Sequence, residues 1–252
     1  MPMTTPDHPD RVLPLQGATN FRDLGGYPGH EGRPLRWRRV FRSDHLGQLT
    51  AADRERLAPL KLARSFDFRG VDERAATPYD VPGLRQHALS IEPSVSQRMG
   101  DLAASGEALT AAHMAELMED LYRRLVTDDA VRFAEFFGHL LDDDAPLVFH
   151  CTAGKDRTGV AAALLLLALG VPQTQVEQDY LLTNTVYRRP HTPDSVLPPE
   201  AQAVMWGVQP SFLQAALEAV HRYPGGLEAY LERRMGLDGA ARDRLRAQYL
   251  QG

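Results

Sequence analysis

The sequence predicts an α/β fold in which a mostly parallel sheet of four or five strands is flanked by helices. Strand-like stretches alternate along the chain with stretches of helical period, which is typical of parallel sheets covered on both faces. The apolar run 146–150 indicates a strand at the centre of the sheet. The stretch 157–169 is apolar on nearly every side, as expected for a helix buried against that sheet.

The remaining elements follow from local patterns along the chain. Strands are predicted over 38–43, 62–68 and 84–91. Thr50 and Asp53 form a capping-box-like start for a short helix over 51–60. Further helices are predicted over 107–125, 129–141, 174–187, 210–223, 227–235 and 238–250. The apolar stripe of the first of these, which includes Tyr122, is interpreted as core.

The organisation of the chain favours one domain over 1–252, because no low-complexity linker divides it. Residues 1–12 are expected to form a loose arm, and residues 92–106 a surface loop. The helices between about 174 and 223 flank a Pro-containing stretch at 188–199, which suggests a helical lid. Such a lid would shield a reactive thiol from oxidants.

Composition and charge restrict the class of protein. Of the 252 residues, 43% are hydrophobic and 24% are charged, which is ordinary for a globular protein. The formal net charge of −5 argues against a binder of nucleic acid or of anionic membranes. The single cysteine excludes an internal disulfide and a cysteine-rich metal site. The sequence leaves the oligomeric state open.

The expected compartment is the cytoplasm, where a free thiol stays reduced. Residues 1–11 lack the apolar centre of a signal peptide, and the longest apolar run, 160–169, is too short to cross a bilayer. An integral membrane segment is therefore not expected, while secretion by a route that needs no signal peptide stays open.

The chemistry is concentrated in the stretch 148–159, which reads VFHCTAGKDRTG. Cys151 and Arg157 stand in a C-x5-R pattern between the predicted central strand and the buried helix. At the start of that helix, backbone N–H groups can converge on an anion, and the helix dipole adds positive potential. This field favours the thiolate of Cys151. Thiol-dependent phosphatases use this arrangement.

Each residue of this loop has an expected role. Cys151 is the predicted nucleophile, and Arg157 can grip two phosphoryl oxygens in a bidentate way. His150 is expected to fix the loop through backbone hydrogen bonds, and Thr158 to donate to the thiolate as it leaves a phosphocysteine. Gly154 lets the backbone bend tightly. The predicted phosphate cradle comprises Thr152, Ala153, Gly154, Lys155, Asp156 and Arg157.

Other interpretations of the loop are weaker. A lone cysteine is most often a small buried apolar residue, but here the strand, the glycine, the Arg-Thr-Gly sequence and the helix agree with a catalytic loop. A nucleotide-binding loop is excluded, because Phe149 stands where its first glycine is required and Asp156 follows Lys155. A phosphate-binding module without turnover and a sulfurtransferase stay as alternatives. Neither a metal nor another cofactor is implied.

The stretch from His150 to Gly159 resembles the signature of the cysteine-dependent tyrosine phosphatases, and more narrowly that of the bacterial tyrosine/lipid phosphatases. Three other blocks are similar to that family, namely Asn20–Gly26, Phe41–Ser43 and Asp179–Asn184. The resemblance implies a dual-specificity-like core with a helical lid. It also implies a phosphorylated protein or phosphoinositide as substrate. Lys155 stands where lipid phosphatases of this superfamily carry a lysine, which suits a second phosphate on an inositol ring.

The general acid and the N-terminal block are left with two interpretations each. The resemblance favours Asp156, inside the loop, as the acid. Asp67 is the alternative, although an ion pair with Arg69 is its more ordinary role. Arg22 is expected either to support the loop from behind or to belong to a tight turn.

Overall fold

The computed structural model describes residues 8–92, 109–189 and 197–252. Its centre is a five-stranded sheet with the order β1-β2-β5-β3-β4. β2, β5, β3 and β4 run parallel to their neighbours, whereas β1 pairs with β2 in antiparallel fashion. The mostly parallel sheet and its central strand are therefore confirmed. The strands are β1 Arg22–Asp23, β2 Val40–Ser43, β3 Arg64–Asp67, β4 Arg85–Ala88 and β5 Leu147–His150.

Helices flank this sheet, and most lie where the sequence predicts them. Two were not predicted, α2 and α8. Because α2 has six residues and begins after a glycine, it lacks the side-chain cap that usually signals a helix start. The helices are α1 Ala51–Leu57, α2 Val71–Ala76, α3 Ala111–Thr127, α4 Ala130–Asp142, α5 Arg157–Ala168, α6 Gln173–Leu181, α7 Thr183–Val186, α8 Pro199–Trp206, α9 Pro210–His221, α10 Gly226–Met235 and α11 Gly239–Tyr249.

Strand β5 is buried on both faces. Val148 belongs to a smaller apolar cluster that includes Phe41, whereas Leu147 and Phe149 belong to the larger core. In that larger core the rings of Phe149 and Phe136 have centroids 5.1 Å apart. Because alternate side chains meet apolar partners on opposite sides, the strand reads as an unbroken apolar run.

The register of the sheet brings three strand ends together. Ser43 of β2 and Asp67 of β3 both pair with His150 of β5. The segments that follow these strands therefore leave the sheet at one edge, and Cys151 is the first residue beyond β5. Helix α5 begins shortly after Cys151, at Arg157, and is buried on nearly all sides, as predicted.

The arm predicted over residues 1–12 differs from the expectation at its described end. Arg11 is buried, donates from Nη1 to the carbonyl oxygen of Asp23 at 2.8 Å, and lies 4.0 Å above the ring of Tyr27. Val12 forms a β-bridge with Arg22. A buried cation over an aromatic ring thus anchors this end of the arm. Residues 1–7 lie outside the described residues.

Two other predictions fall partly outside the described residues. The predicted surface loop is described only at Glu92. Of the predicted lid, α6, α7, α8 and α9 are described, and 190–196 are not. Helix α9 packs against α3 with Phe212 and Leu213 buried. Movement of this region as a lid stays a prediction. Across the described ranges, no helix combines the length and apolar character needed to span a membrane.

A buried cluster of charges ties α6 to the sheet. Arg22 donates from Nε to Oδ1 of Asp179 at 3.1 Å, and Arg42 donates from Nη1 to Oδ2 at 2.7 Å. All three side chains are buried. Burial acts to raise the pKa of Asp179, but the two guanidinium groups outweigh it and lower that pKa to about 2. The carboxylate is therefore ionised near neutral pH and bridges the two arginines.

Removing this carboxylate is expected to destabilise the fold strongly. Asp179→Ala leaves two buried guanidinium groups without their counter-ion, so we expect the free energy of unfolding to fall by about 3–5 kcal/mol in urea denaturation. Glu218→Ala is the control, because Glu218 pairs with Arg222 on the surface of α9 at 3.2 Å and such pairs contribute roughly 0–1 kcal/mol. Equal losses in the two variants would contradict a structural role for the cluster.

Candidate active site

The segment between β5 and α5 forms a tight turn around Cys151, which is 2% exposed. Gly154 lies in this turn with a φ of 66°, and a Cβ there would lie 2.3 Å from the carbonyl oxygen of Ser43. Only glycine fits this position without a shift of the backbone. Asp156 precedes α5 and Arg157 begins it, so the predicted cradle does lie at a helix N-terminus.

Two side chains hold the carbonyl groups of this turn from behind. Asn20 donates from Nδ2 to the carbonyl oxygens of Ala153 and Gly154, both at 3.0 Å. Arg42 donates from Nη2 to the carbonyl oxygen of Gly154 at 2.9 Å. In a trans peptide the N–H group points opposite to the C=O group. The N–H groups that follow these carbonyls are therefore turned away from Asn20 and Arg42.

Arg22 supports the turn through Asn20, because its guanidinium donates to the side-chain oxygen of Asn20 as well as to Asp179. Of the two interpretations of the N-terminal block, the contacts favour support from behind the loop. The block Asn20–Gly26, β2 and α6 thus meet at the back of the candidate site.

Arg157 is oriented by a carboxylate on α2, one of the two helices that were not predicted. Glu73 of α2 receives two hydrogen bonds from Arg157, from Nη1 at 2.5 Å and from Nη2 at 2.9 Å. The hydroxyl of Thr152 also donates to Glu73. Burial acts to raise the pKa of Glu73, but Arg157 outweighs it and lowers that pKa to about 2. Glu73 therefore joins both ends of the cradle as an ionised group.

The charge of Arg157 is itself strongly favoured. Burial acts against the charged form, but the negative fields of Cys151 and Glu73 outweigh burial and raise the pKa of Arg157 above its usual value. A permanent positive charge therefore lies beside Cys151, as the predicted thiolate requires.

Asp156 lies inside the site and does not cap its helix. Its Oδ1 accepts hydrogen bonds from Tyr122 of α3 and from Nζ of Lys155, both at 2.8 Å. Tyr180 of α6 donates to the hydroxyl of Tyr122 at 2.7 Å. Lys155 is buried, and its ammonium group is paired with Asp156 in this structure.

Asp67 forms a buried ion pair with Arg69. Arg69 donates from Nη2 to its Oδ2 at 2.8 Å and from Nε to both oxygens. Burial acts to raise the pKa of Asp67, but His150 and Arg69 outweigh it and hold that pKa below its usual value. The contacts of Asp67 thus favour an ion pair with Arg69 as its role over general-acid catalysis.

His150 is buried between the loop and a tyrosine. Its Nδ1 lies 3.3 Å from the carbonyl oxygen of Cys151, and its Nε2 lies 2.8 Å from the hydroxyl of Tyr79. Burial lowers the pKa of His150 to about 4, so the ring is neutral near pH 7. These contacts fit the expected role of fixing the loop by hydrogen bonding.

Thr158 was expected to donate to the thiolate as it leaves a phosphocysteine. Its hydroxyl is buried and makes no hydrogen bond within the described residues. No hydrogen bond to Cys151 is therefore formed in this structure, and donation from Thr158 to a departing thiolate stays a prediction.

Comparison with known proteins gives the family of the chain. The profile of the tyrosine phosphatase family matches residues 13–251. The chain belongs to that family. A protein of Cupriavidus necator that carries the name of a tyrosine-protein phosphatase is 35% identical over 255 residues, which cover 95% of this chain and 89% of that protein.

Two further similarities extend this comparison. The triple specificity protein phosphatase PtpB of Mycobacterium tuberculosis is 30% identical over 278 residues, which cover 95% of this chain and 99% of that protein. Among solved structures, TpbA of P. aeruginosa aligns with a TM-score of 0.34 and 14% identity, over 82% of this chain and 97% of that one. The family and its named members make this chain a tyrosine phosphatase, which decides against the sulfurtransferase alternative.

The sequence alone did not single out Glu73, Tyr122 or Tyr180. Glu73 follows Gly70 at the spacing of a capping box, and it does accept a hydrogen bond from the Gly70 N–H at 2.8 Å. That spacing is the one signal that could have marked α2. Tyr122 reads as part of an apolar helix face, and Tyr180 belongs to a block noted only for its family resemblance.

Neutralising Glu73 is expected to impair the arginine clamp. In Glu73→Gln the bidentate ion pair is lost and Arg157 is less fixed, so we expect kcat/KM for an aryl phosphate to fall by roughly 10- to 100-fold. Asp72→Asn on the exposed side of the same helix is the matched control and should stay within about twofold of the parent. Unchanged kinetics in Glu73→Gln, measured on folded protein, would remove Glu73 from the account.

Proposed function

We propose that this tyrosine phosphatase hydrolyses phosphomonoesters in two steps through a phosphocysteine. Sγ of the Cys151 thiolate attacks phosphorus, the bond from phosphorus to the ester oxygen breaks, and Asp156 gives its proton to that oxygen. Water then attacks phosphorus and gives a proton to Asp156, while the electron pair of the S–P bond returns to Cys151. Inorganic phosphate is released, and no metal takes part.

The proposal depends above all on the complete loop, in which a buried cysteine, an ion-paired arginine and a carboxyl group occupy one turn. Arg157 is the proposed clamp for the equatorial oxygens, together with the loop N–H groups. A module that only binds phosphate needs the cradle but has no use for Cys151 and Asp156. For the acid, the ion pair between Asp67 and Arg69 supports Asp156 over Asp67.

We propose phosphotyrosine in proteins as the main substrate. Cys151 is 2% exposed, and a phosphotyrosine side chain reaches a recessed thiolate more easily than the shorter phosphoserine does. A cavity of about 220 Å³ beside Thr152 is lined by Thr19, His45, Tyr187 and Arg188, among others, and offers room for residues that flank the phosphotyrosine. Phosphoserine and phosphothreonine are proposed as secondary substrates.

A phosphoinositide substrate has weaker support. Lys155 was expected to bind a second phosphate on the inositol ring, but its ammonium group is buried against Asp156 at 2.8 Å. It would have to leave this ion pair to reach a second phosphate. The name of the mycobacterial relative gives that protein triple specificity. The cytoplasm is the proposed compartment.

Removal of the Cys151 thiol is expected to abolish turnover. Chelation of metal ions is expected to leave the wild-type rate unchanged. With p-nitrophenyl phosphate and excess EDTA, wild-type protein should keep its full rate, and Cys151→Ser should lose at least about 10³-fold in kcat, because a hydroxyl is a far weaker nucleophile at neutral pH. Activity that survives Cys151→Ser would overturn the nucleophile assignment. Loss of the wild-type rate in EDTA would overturn the metal-free mechanism.

A side-by-side assay separates the substrate classes. We expect kcat/KM for phosphotyrosine peptides to exceed that for phosphoserine peptides and for phosphoinositides presented in vesicles by about tenfold or more, which corresponds to 1.4 kcal/mol in transition-state stabilisation. Lys155→Met should lower any phosphoinositide activity more than phosphopeptide activity if the lysine leaves Asp156 for a second phosphate. Faster hydrolysis of phosphoinositides would contradict the proposed preference.

A further inference from the structure

Two buried tyrosines from separate helices stand behind Asp156. Tyr122 of α3 donates to Oδ1 of Asp156 at 2.8 Å, and Tyr180 of α6 donates to the hydroxyl oxygen of Tyr122 at 2.7 Å. Both tyrosines are buried. The resulting chain of hydrogen bonds connects the loop to two helices of the core.

The direction of these bonds follows from proton counting. A tyrosine hydroxyl has one proton, and a carboxylate has none to give. Because the proton of Tyr122 is used on Asp156, the hydroxyl of Tyr180 must supply the proton between the two rings. Burial, together with the negative field of Asp156, raises the pKa of both tyrosines well above the usual value. Both hydroxyls therefore stay protonated and act as donors at any working pH.

The two oxygens of Asp156 are held unequally. Tyr122 and Lys155 both donate to Oδ1. Within the described residues, Oδ2 receives no hydrogen bond, and the side chain of Asp156 is 19% exposed. A proton on Asp156 is therefore disfavoured at Oδ1, which faces two donors, and is accommodated at Oδ2.

We propose that Tyr122, backed by Tyr180, is a positioning residue for the general acid, which holds Oδ1 of Asp156 so that Oδ2 delivers the proton to the leaving oxygen. This rests on the proposed function, and specifically on Asp156 as the acid. Because α3 and α6 are core helices, the acid is in place before substrate arrives. No separate loop has to close to deliver it.

The tyrosine hydroxyl has a second effect, on the pH dependence of the reaction. A hydrogen bond donated to a carboxylate favours its ionised form, so loss of the bond from Tyr122 is expected to move the basic limb of the rate profile to higher pH. Other charged or titratable groups that interact with Asp156 are Lys155, Arg157 and Tyr187. None of these is changed by a substitution of Tyr122 to phenylalanine, which removes one oxygen only.

The test measures pH–rate profiles of kcat for Tyr122→Phe, Tyr180→Phe and the control Tyr230→Phe. Tyr230 is also buried and donates to the carbonyl oxygen of Val126 on α3 at 2.7 Å, but it does not contact Asp156. In Tyr122→Phe we expect the basic limb to move to higher pH, and the plateau rate with phenyl phosphate to fall about tenfold. Tyr180→Phe should change both in the same direction by less, and Tyr230→Phe should change neither.

A double substitution separates positioning from general structural damage. If Tyr122 acts only through Asp156, adding Tyr122→Phe to Asp156→Asn lowers the rate no further than about twofold. The loss in Tyr122→Phe should also be larger with phenyl phosphate than with p-nitrophenyl phosphate, whose leaving group needs less protonation. The proposal would be overturned if Tyr122→Phe lowered the rate equally in wild-type protein and in Asp156→Asn. It would also be overturned if the basic limb did not move in Tyr122→Phe.

The closing control is Asp156→Asn by itself, compared with Asp67→Asn. We expect the basic limb to disappear in Asp156→Asn and to stay in Asp67→Asn. An unchanged basic limb in Asp156→Asn would overturn both the acid assignment and the role of Tyr122. The assignment of Cys151 as the nucleophile is tested separately, by Cys151→Ser.

Discussion

The candidate catalytic loop depends on the carboxylate of Asp179, which is buried between two guanidinium groups. Arg22 and Arg42 both pair with it, and each has a second contact directed at the loop. Arg42 reaches the carbonyl oxygen of Gly154, and Arg22 reaches Asn20, which holds the same carbonyl. Burying three charges is costly unless each is paired and hydrogen-bonded. Here the pairing also fixes the direction of the loop peptides.

The proposed clamp and the proposed acid are each held by a partner in the same way. Behind Arg157 stands Glu73, and behind Asp156 stands Tyr122. Each partner belongs to a helix of the scaffold, outside the loop itself. An active site gains most when its charges and donors are already oriented before substrate binds, because no reorganisation is then needed during the reaction. In the proposed mechanism the clamp and the acid therefore need no large movement.

How much the sequence predicts depends on how local the pattern is. Strand β5, the turn at Gly154 and the buried helix α5 follow one another in the chain, so periodicity and spacing suffice to predict them. Asp156 could be named but not chosen over Asp67 from the residues alone. The ion pair between Asp67 and Arg69 favours Asp156, which stays a proposal.

The supporting residues could not be predicted in the same way. Glu73 lies on a six-residue helix and meets Arg157 only after the sheet has formed. Tyr122 looks like any apolar position on a helix face until α5 brings Asp156 beside it. Such contacts depend on packing between elements far apart in sequence, which no local pattern carries. The lid expected over about 174–223 is a matter of motion, and it stays a prediction.

The most direct test of the account is to trap the covalent intermediate. Wild-type protein would be mixed with excess aryl phosphate, quenched rapidly in acid and digested for mass spectrometry. The account predicts a phosphate on the peptide that contains Cys151, together with a burst of the aryl alcohol, which marks the first step. Phosphate on another residue, or turnover in which neither a burst nor a phosphorylated Cys151 peptide is found, would contradict it.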